Sequence, residues 1–363
     1  MEKKVKLRRF FPGSNSAYGF CSFFNQIADP KTSRTYIIKG GPGSGKSTFM
    51  NKIGKEMQKQ GLAVEYHHCA TDHVSLDGLV VPDLKIAFID GNSPHVVDPC
   101  YPGATGEIIH FGQFWDEAGI RKNKSSVIRL NAEAKRLFNQ SYKVLAAARM
   151  YLQALENYEN IEGVLDQGSW NDLALQLMEE ILFTKNPKGL PGKTRRLFVS
   201  AISPAGTINF LASLVAGLDK VYILQGDNGA AKDKLLKRMA DAACMSGFNI
   251  EAYHCAFDPH RIDHLIIPEL STAIINSKEP HCFSIPGAGQ EINTAVFTKL
   301  SPSLQEEKQL LHKKFQAILS QAIFFLAKAK SRRDELEKLY IPNIDFAGID
   351  QLREKTVERI LDS

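Results

Sequence analysis

A chain of 363 residues with 44% apolar and 23% charged residues has ordinary globular composition and room for two or three domains, which excludes intrinsic disorder, collagen and coiled-coil repeats. Its apolar runs are short, as at Leu79-Val80-Val81, well below the ~18 residues of a bilayer span, and no apolar stretch follows the basic segment 1–9, so neither a membrane anchor nor a secretory signal is expected. Six cysteines without a C-x-x-C pair suggest a reducing, cytoplasmic setting, and a net charge of +5 suits acidic small ligands without arguing for nucleic acid.

In chain order, residues 35–39 form a short apolar strand, followed by a glycine loop and a helix with Phe49, Met50, Ile53 and Met57 on one face, ended by Gly61. Residues 63–66 and 86–89 read as further buried strands, and the strand–helix alternation predicts an α/β fold with a parallel sheet. Residues 131–159 carry Leu137, Phe138, Val144, Leu145, Tyr151, Leu152 and Leu155 at helical spacing, and 170–183 give a shorter helix. Breaker residues at 186–192 mark a linker, after which the same order returns, ending in helical patterns at 303–339 and 348–361.

That return is a repeat. Shifting 36–95 by 186 positions onto 222–281 gives 19 identities in 60, where chance gives roughly four. Gly40, Gly43 and Lys46 fall on Gly226, Gly229 and Lys232; His68-Cys69 falls on His254-Cys255 and Pro94-His95 on Pro280-His281. Outside that stretch, Arg8-Arg9 resembles Arg195-Arg196, and Pro102-Gly103-Ala104 resembles Pro286-Gly287-Ala288 after a two-residue slip. Two units follow, 1–187 and 193–363, each an α/β domain with C-terminal helices. A lone unit would leave an apolar helix stripe in water, so the two are expected to pack as an internal pseudo-dimer.

Gly40, Gly41, Pro42, Gly43, Ser44, Gly45, Lys46, Ser47 and Thr48 complete the pattern G-x-x-x-x-G-K-[ST]. The glycines let successive N–H groups converge on phosphate oxygens, at the positive end of the following helix. Lys46 is placed to reach the β- and γ-phosphates and Ser47 to ligate Mg²⁺. A neighbouring strand should end in a carboxylate for the metal. Asp90, after four apolar residues, is the leading candidate; it could instead only open the Asp90-Gly91-Asn92 turn, and Asp72 and Asp77 are alternatives. In the second unit Gly41, Gly45, Ser47 and Asp90 become Asp227, Ala231, Asp233 and Asn276, so that loop is read as degenerate, or as serving a less charged ligand.

With this loop, the twofold His-Cys pattern and the run Asp90-Gly91-Asn92-Ser93-Pro94-His95, the chain resembles the P-loop NTPases over 36–91. As a whole it resembles a bacterial family of tandem P-loop proteins described as predicted ATPases or nucleotide kinases. The resemblance implies a nucleotide-binding fold and supplies no substrate. A Mg²⁺-dependent ATPase with one competent site is the leading expectation; a nucleotide or small-molecule kinase and a non-catalytic switch or scaffold are its rivals. ATP and Mg²⁺ are the expected cofactors, with an unidentified small molecule or protein as a further partner.

His68 and His95 are candidates for proton transfer or substrate contact, for zinc with Cys69, or for purely structural roles. Arg8-Arg9 and Arg195-Arg196 could reach across to phosphate but more simply make salt bridges. The basic runs 121–124 and 193–196 lack interleaved aromatic residues, which argues against a nucleic-acid partner.

Overall fold

Two six-stranded mixed sheets carry the fold in a computed structural model that describes residues 7–28, 32–93, 95–183, 189–226, 229–278, 283 and 289–362. The first run of elements is β1 (Leu7–Phe10), β2 (Gly13–Ser16), β3 (Gly19–Ser22), β4 (Arg34–Lys39), α1 (Lys46–Lys59), β5 (Val64–His68), β6 (Leu76–Val81), β7 (Ile86–Asp90) and β8 (Gly106–His110). Helices α2 (Glu117–Lys122), α3 (Lys124–Asn157) and α4 (Gln167–Leu182) follow. The second run is β9 (Thr194–Leu197), β10 (Ser200–Ser203), β11 (Gly206–Asn209), α5 (Leu211–Val215), β12 (Lys220–Gln225), α6 (Gly229–Met245), β13 (Ile250–His254), β14 (Ile262–Ile267), β15 (Thr272–Ser277), β16 (Gln290–Asn293), α7 (Pro302–Tyr340) and α8 (Phe346–Leu361). The sheet orders are β1-β5-β6-β7-β4-β8 and β9-β13-β14-β15-β12-β16, the same arrangement twice.

The expected parallel sheet is corrected to a mixed one. β4 pairs in parallel with β7 and β8, but β6 runs antiparallel to both β5 and β7, and β14 does the same in the second sheet. The cause is connection length. A single 3₁₀ turn, Pro82–Leu84, followed by Lys85 at φ 55°, joins β6 to β7. A parallel crossover needs a dozen residues or more, so this link can only reverse the chain. Residues 76–81, of which only 79–81 read as an apolar run in sequence, are buried along their whole length.

α3 and α7 lie antiparallel along one another. Leu137, Leu145, Ala148 and Leu155 interleave with Phe315, Leu319, Ala322 and Leu326, and the buried Ser141 hydroxyl donates to the Ala322 carbonyl at 3.0 Å. The short helices beyond them cross over. Ile349, Val357 and Ile360 of α8 join Phe49, Met50 and Ile53 of α1 in the core of the first sheet. Trp170, Ala174, Leu177 and Ile181 of α4 join Leu235, Leu236 and Met239 of α6 in the core of the second. Each sheet is thus covered by the last helix of the other run, at roughly 1.5–3 kcal/mol per large apolar side chain buried. The two runs also meet where Phe11 and Phe198 exchange backbone hydrogen bonds of 2.8 and 3.0 Å.

Candidate nucleotide site

The loop between β4 and α1 curls because Gly43 and Gly45 hold φ 66° and 82°, backbone conformations that L side chains rarely adopt. Gly45 caps α1 without a side-chain bond, which leaves the first-turn N–H groups directed at the loop. Lys46 Nζ donates to the carbonyls of Gly40 (3.0 Å) and Gly41 (2.9 Å) and lies 3.6 Å from Asp90 Oδ2. Ser44 Oγ donates to the Gly41 carbonyl at 2.8 Å, and Asn92 Oδ1 accepts from Gly40 N at 3.1 Å. Residues 40–48 line one side of a 580 Å³ cavity.

Asp77 and Asp90 line it together. They sit one residue beyond the last paired positions of β6 and β7, Gly78 and Ile89, and so end adjacent strands side by side. Burial, then the Asp90 charge, pushes the Asp77 carboxyl up to about 7. Asp90 Oδ1 accepts from Asn92 N at 3.0 Å and from Asn92 Nδ2 at 2.5 Å. Ser47 Oγ accepts from Leu76 N at 2.9 Å, which brings its hydroxyl to the start of the same strand. Asp72 also borders the cavity, its Oδ2 accepting from Ser75 Oγ at 2.7 Å.

The opposite wall comes from α7, nearly 300 residues away in sequence. Lys330, Arg333, Asp334 and Glu337 form one helical stripe facing the loop. The packing is close: a Cβ added at Gly43 would lie 3.2 Å from Glu337 Cβ and 3.0 Å from Ile341 Cγ1. Burial, then Asp334, holds the Glu337 carboxyl above its usual range. Sequence reasoning missed this wall; its only signal was an i, i+3, i+4, i+7 run of charges in a helix that carries many other charged residues.

His68 and His95 do not line the cavity. His68 Nδ1 lies 2.8 Å from the His73 carbonyl, with its ring 4.5 Å from Phe210. His95 stacks on Phe24 at 4.0 Å and lies 4.5 Å from Phe20. Burial above all pulls both imidazoles down to about 4. Arg8 and Arg195 stand away from the loop in a partly buried quartet with Glu65 and Glu251, Arg195 Nη2 lying 2.7 Å from Glu65 Oε2. Pro94, Pro280, His281, the segment Pro286-Gly287-Ala288 and Asp227 lie outside the described residues.

At the second loop the protein meets its own chemistry. Glu159, just past α3, accepts from Ala231 N at 2.9 Å and Ala230 N at 3.3 Å, so a carboxylate covers the N-terminus of α6. Lys232 is fully buried and donates to the carbonyls of Gly226, Leu224 and Ser277. Lys278 Nζ lies 3.4 Å from Asp233 Oδ1 and 3.1 Å from Asp263 Oδ1. By the 186-residue shift these carboxylates correspond in sequence to Ser47 and Asp77. At the first loop the hard oxygen set of Ser47, Asp77 and Asp90 fits Mg²⁺, which takes few protein ligands and fills the rest with phosphate and water.

Among the described residues no cluster of three or more His, Cys, Asp or Glu forms a ready metal cage, and no helix is long and apolar enough to cross a membrane. No curated protein and no solved structure matches the chain. A family model described as the KAP family P-loop domain matches residues 22–350.

Proposed function

This chain belongs to the KAP family of P-loop domains and is a nucleotide-binding protein, and we propose that it is a Mg²⁺-dependent ATPase with one working site, at residues 40–48. The observation that carries this reading is the convergence of the α1 N-terminus, Lys46, Ser47, Asp77 and Asp90 on one 580 Å³ cavity. The loop amides and helix dipole bind phosphate oxygens. Lys46 exchanges the Gly40 and Gly41 carbonyls for β- and γ-phosphate oxygens. Ser47, Asp77 and Asp90 would hold Mg²⁺, which when bound supplies neutralising charge to the phosphates.

The second loop serves as structure. Glu159 already satisfies the amides an incoming phosphate would use, and Asp233, in place of the Ser47 hydroxyl, is tied to Arg261 and Lys278. The shared strand order and the 19 matched positions support two duplicated units, 1–187 and 193–363, paired internally.

Isothermal titration of the full chain with Mg-ATP tests the assignment. One site per chain is expected, abolished by Lys46→Ala and retained in Lys232→Ala provided that variant still folds. Phosphate release should follow the same pattern. Two equivalent sites, or turnover surviving Lys46→Ala, would overturn it.

A further inference from the structure

We propose that Arg333 of α7 meets the terminal phosphate of a nucleotide held at residues 40–48, so that the hydrolytic site is completed by the second unit; this rests on the ATPase reading above. Arg333 lines the same cavity as Lys46, Asp77 and Asp90. It lies on the helical stripe whose Glu337 backbone packs against Gly43. The other cations there are engaged: Lys46 binds loop carbonyls, and Lys330 Nζ pairs with Asp334 at 2.9 and 3.1 Å. Arg333 has no hydrogen bond or ion pair to a carboxylate among the described residues; its guanidinium lies 5.2 Å from the Phe138 ring centroid. Such stacking orients the side chain without neutralising its charge.

The second unit provides an internal control. Glu156 approaches Gly229 there as Glu337 approaches Gly43, a shift of 181 residues, with Glu156 Oε1 3.7 Å from where a Gly229 Cβ would be. The same shift places Leu152 at the position of Arg333, and Leu152 lines a 420 Å³ cavity beside the loop that Glu159 covers. The unit with an intact loop faces an arginine, and the unit with a degenerate loop faces a leucine. Two other arginines at the junction of the units, Arg8 and Arg195, are already paired with Glu65 and Glu251.

In the reaction a water oxygen bonds to the γ-phosphorus and the bond from that phosphorus to the β–γ bridging oxygen breaks. ADP leaves with the electron pair, and the water proton passes to solvent. Arg333 is not consumed; it stabilises charge on the transferring oxygens, a task worth on the order of 10³–10⁵ in turnover in other P-loop enzymes. It acts on the transition state more than on ground-state binding.

The test uses the full chain in three forms: unmodified, Arg333→Met, which keeps a stem against Phe138 without the charge, and Arg333→Lys. Mg-ATP affinity, phosphate release and trapping of Mg-ADP with aluminium fluoride are measured on each, with melting temperature as the folding control. The expected result is affinity within about threefold, phosphate release at least about 10³-fold lower in Arg333→Met, and loss of trapping. Arg333→Lys, lacking the planar fork, should still lose tenfold or more, and decides the matter if the methionine form does not fold. Turnover within tenfold of the unmodified chain in Arg333→Met, or undiminished trapping, overturns the assignment. If the unmodified chain releases no more phosphate than Lys46→Ala, the ATPase reading falls and this inference with it.

Discussion

His68 and His95 are the two candidates whose surroundings speak for stability. Each imidazole is packed against phenylalanine rings and held neutral, with a folded-state value of about 4 against an ordinary 6.5. Between pH 6.5 and 4 the unfolded chain binds protons at these positions that the folded chain refuses. Stability therefore rises with pH across that window: the contribution is present in full above about 6.5 and is lost progressively as the pH falls to about 4. Its size is on the order of 1–3 kcal/mol per histidine. Urea midpoints measured from pH 4.5 to 7.5 should show this acid limb, and His95→Phe, which suits the stack on Phe24, should flatten part of it. Superimposable profiles for the two proteins would refute the assignment. The His-Cys repetition is visible in sequence, but its meaning is not, because only the fold shows that Phe11 and Phe210 close over His68 while the loop cavity lies elsewhere.

Among the elements, the crossed helices decide which residues stabilise which sheet. Trp170 belongs to the first run by sequence, yet it is buried with Leu235 and Met239 and meets Phe297 edge-to-face at a centroid distance of 5.7 Å. Trp170→Ala should cost about 3–5 kcal/mol through the cavity it leaves. Hydrogen exchange should locate the loss in β12 and α6 of the second run, with β4 and α1 of the first retaining their protection; uniform loss, or loss confined to the first sheet, would contradict this. The helices themselves were legible in the sequence. The 131–159 and 303–339 patterns become α3, which starts seven residues earlier at Lys124 and ends at Asn157, and α7, which differs by one residue at each end. Their partners were not legible, since an amphipathic stripe announces that a face will be covered but carries no address. The strands fared differently. β6 was missed because Leu76-Asp77-Gly78-Leu79-Val80-Val81 contains an aspartate and a glycine that lower its strand signal, and a short turn then imposed the antiparallel direction.

For the whole molecule, the crossing means that residues 1–187 lack both the α8 cover of their own sheet and the α7 wall of the cavity at their glycine loop. Expressed alone, that fragment should aggregate or pair with itself, and should show no phosphate release at the rate of the full chain. Co-expression with residues 189–363 should restore a soluble one-to-one complex with turnover. A monomeric fragment 1–187 with full turnover would refute both the pairing and the contribution of α7. Composition and motif determined that this is an α/β protein with the P-loop pattern at 40–48 and an altered version of that pattern 186 residues later, because those properties depend on local spacing: glycines for a curled backbone, an apolar strand before them and a helix after. Tertiary structure alone decided that Asp77 stands beside Asp90, that Glu159 covers the second loop, and that α7 brings Lys330, Arg333 and Glu337 to the first. The first comes from the short turn that pairs β6 with β7; the other two join residues up to about 300 positions apart, brought together when α3 and α7 pack antiparallel, and no local pattern in a single chain encodes which distant face will be met.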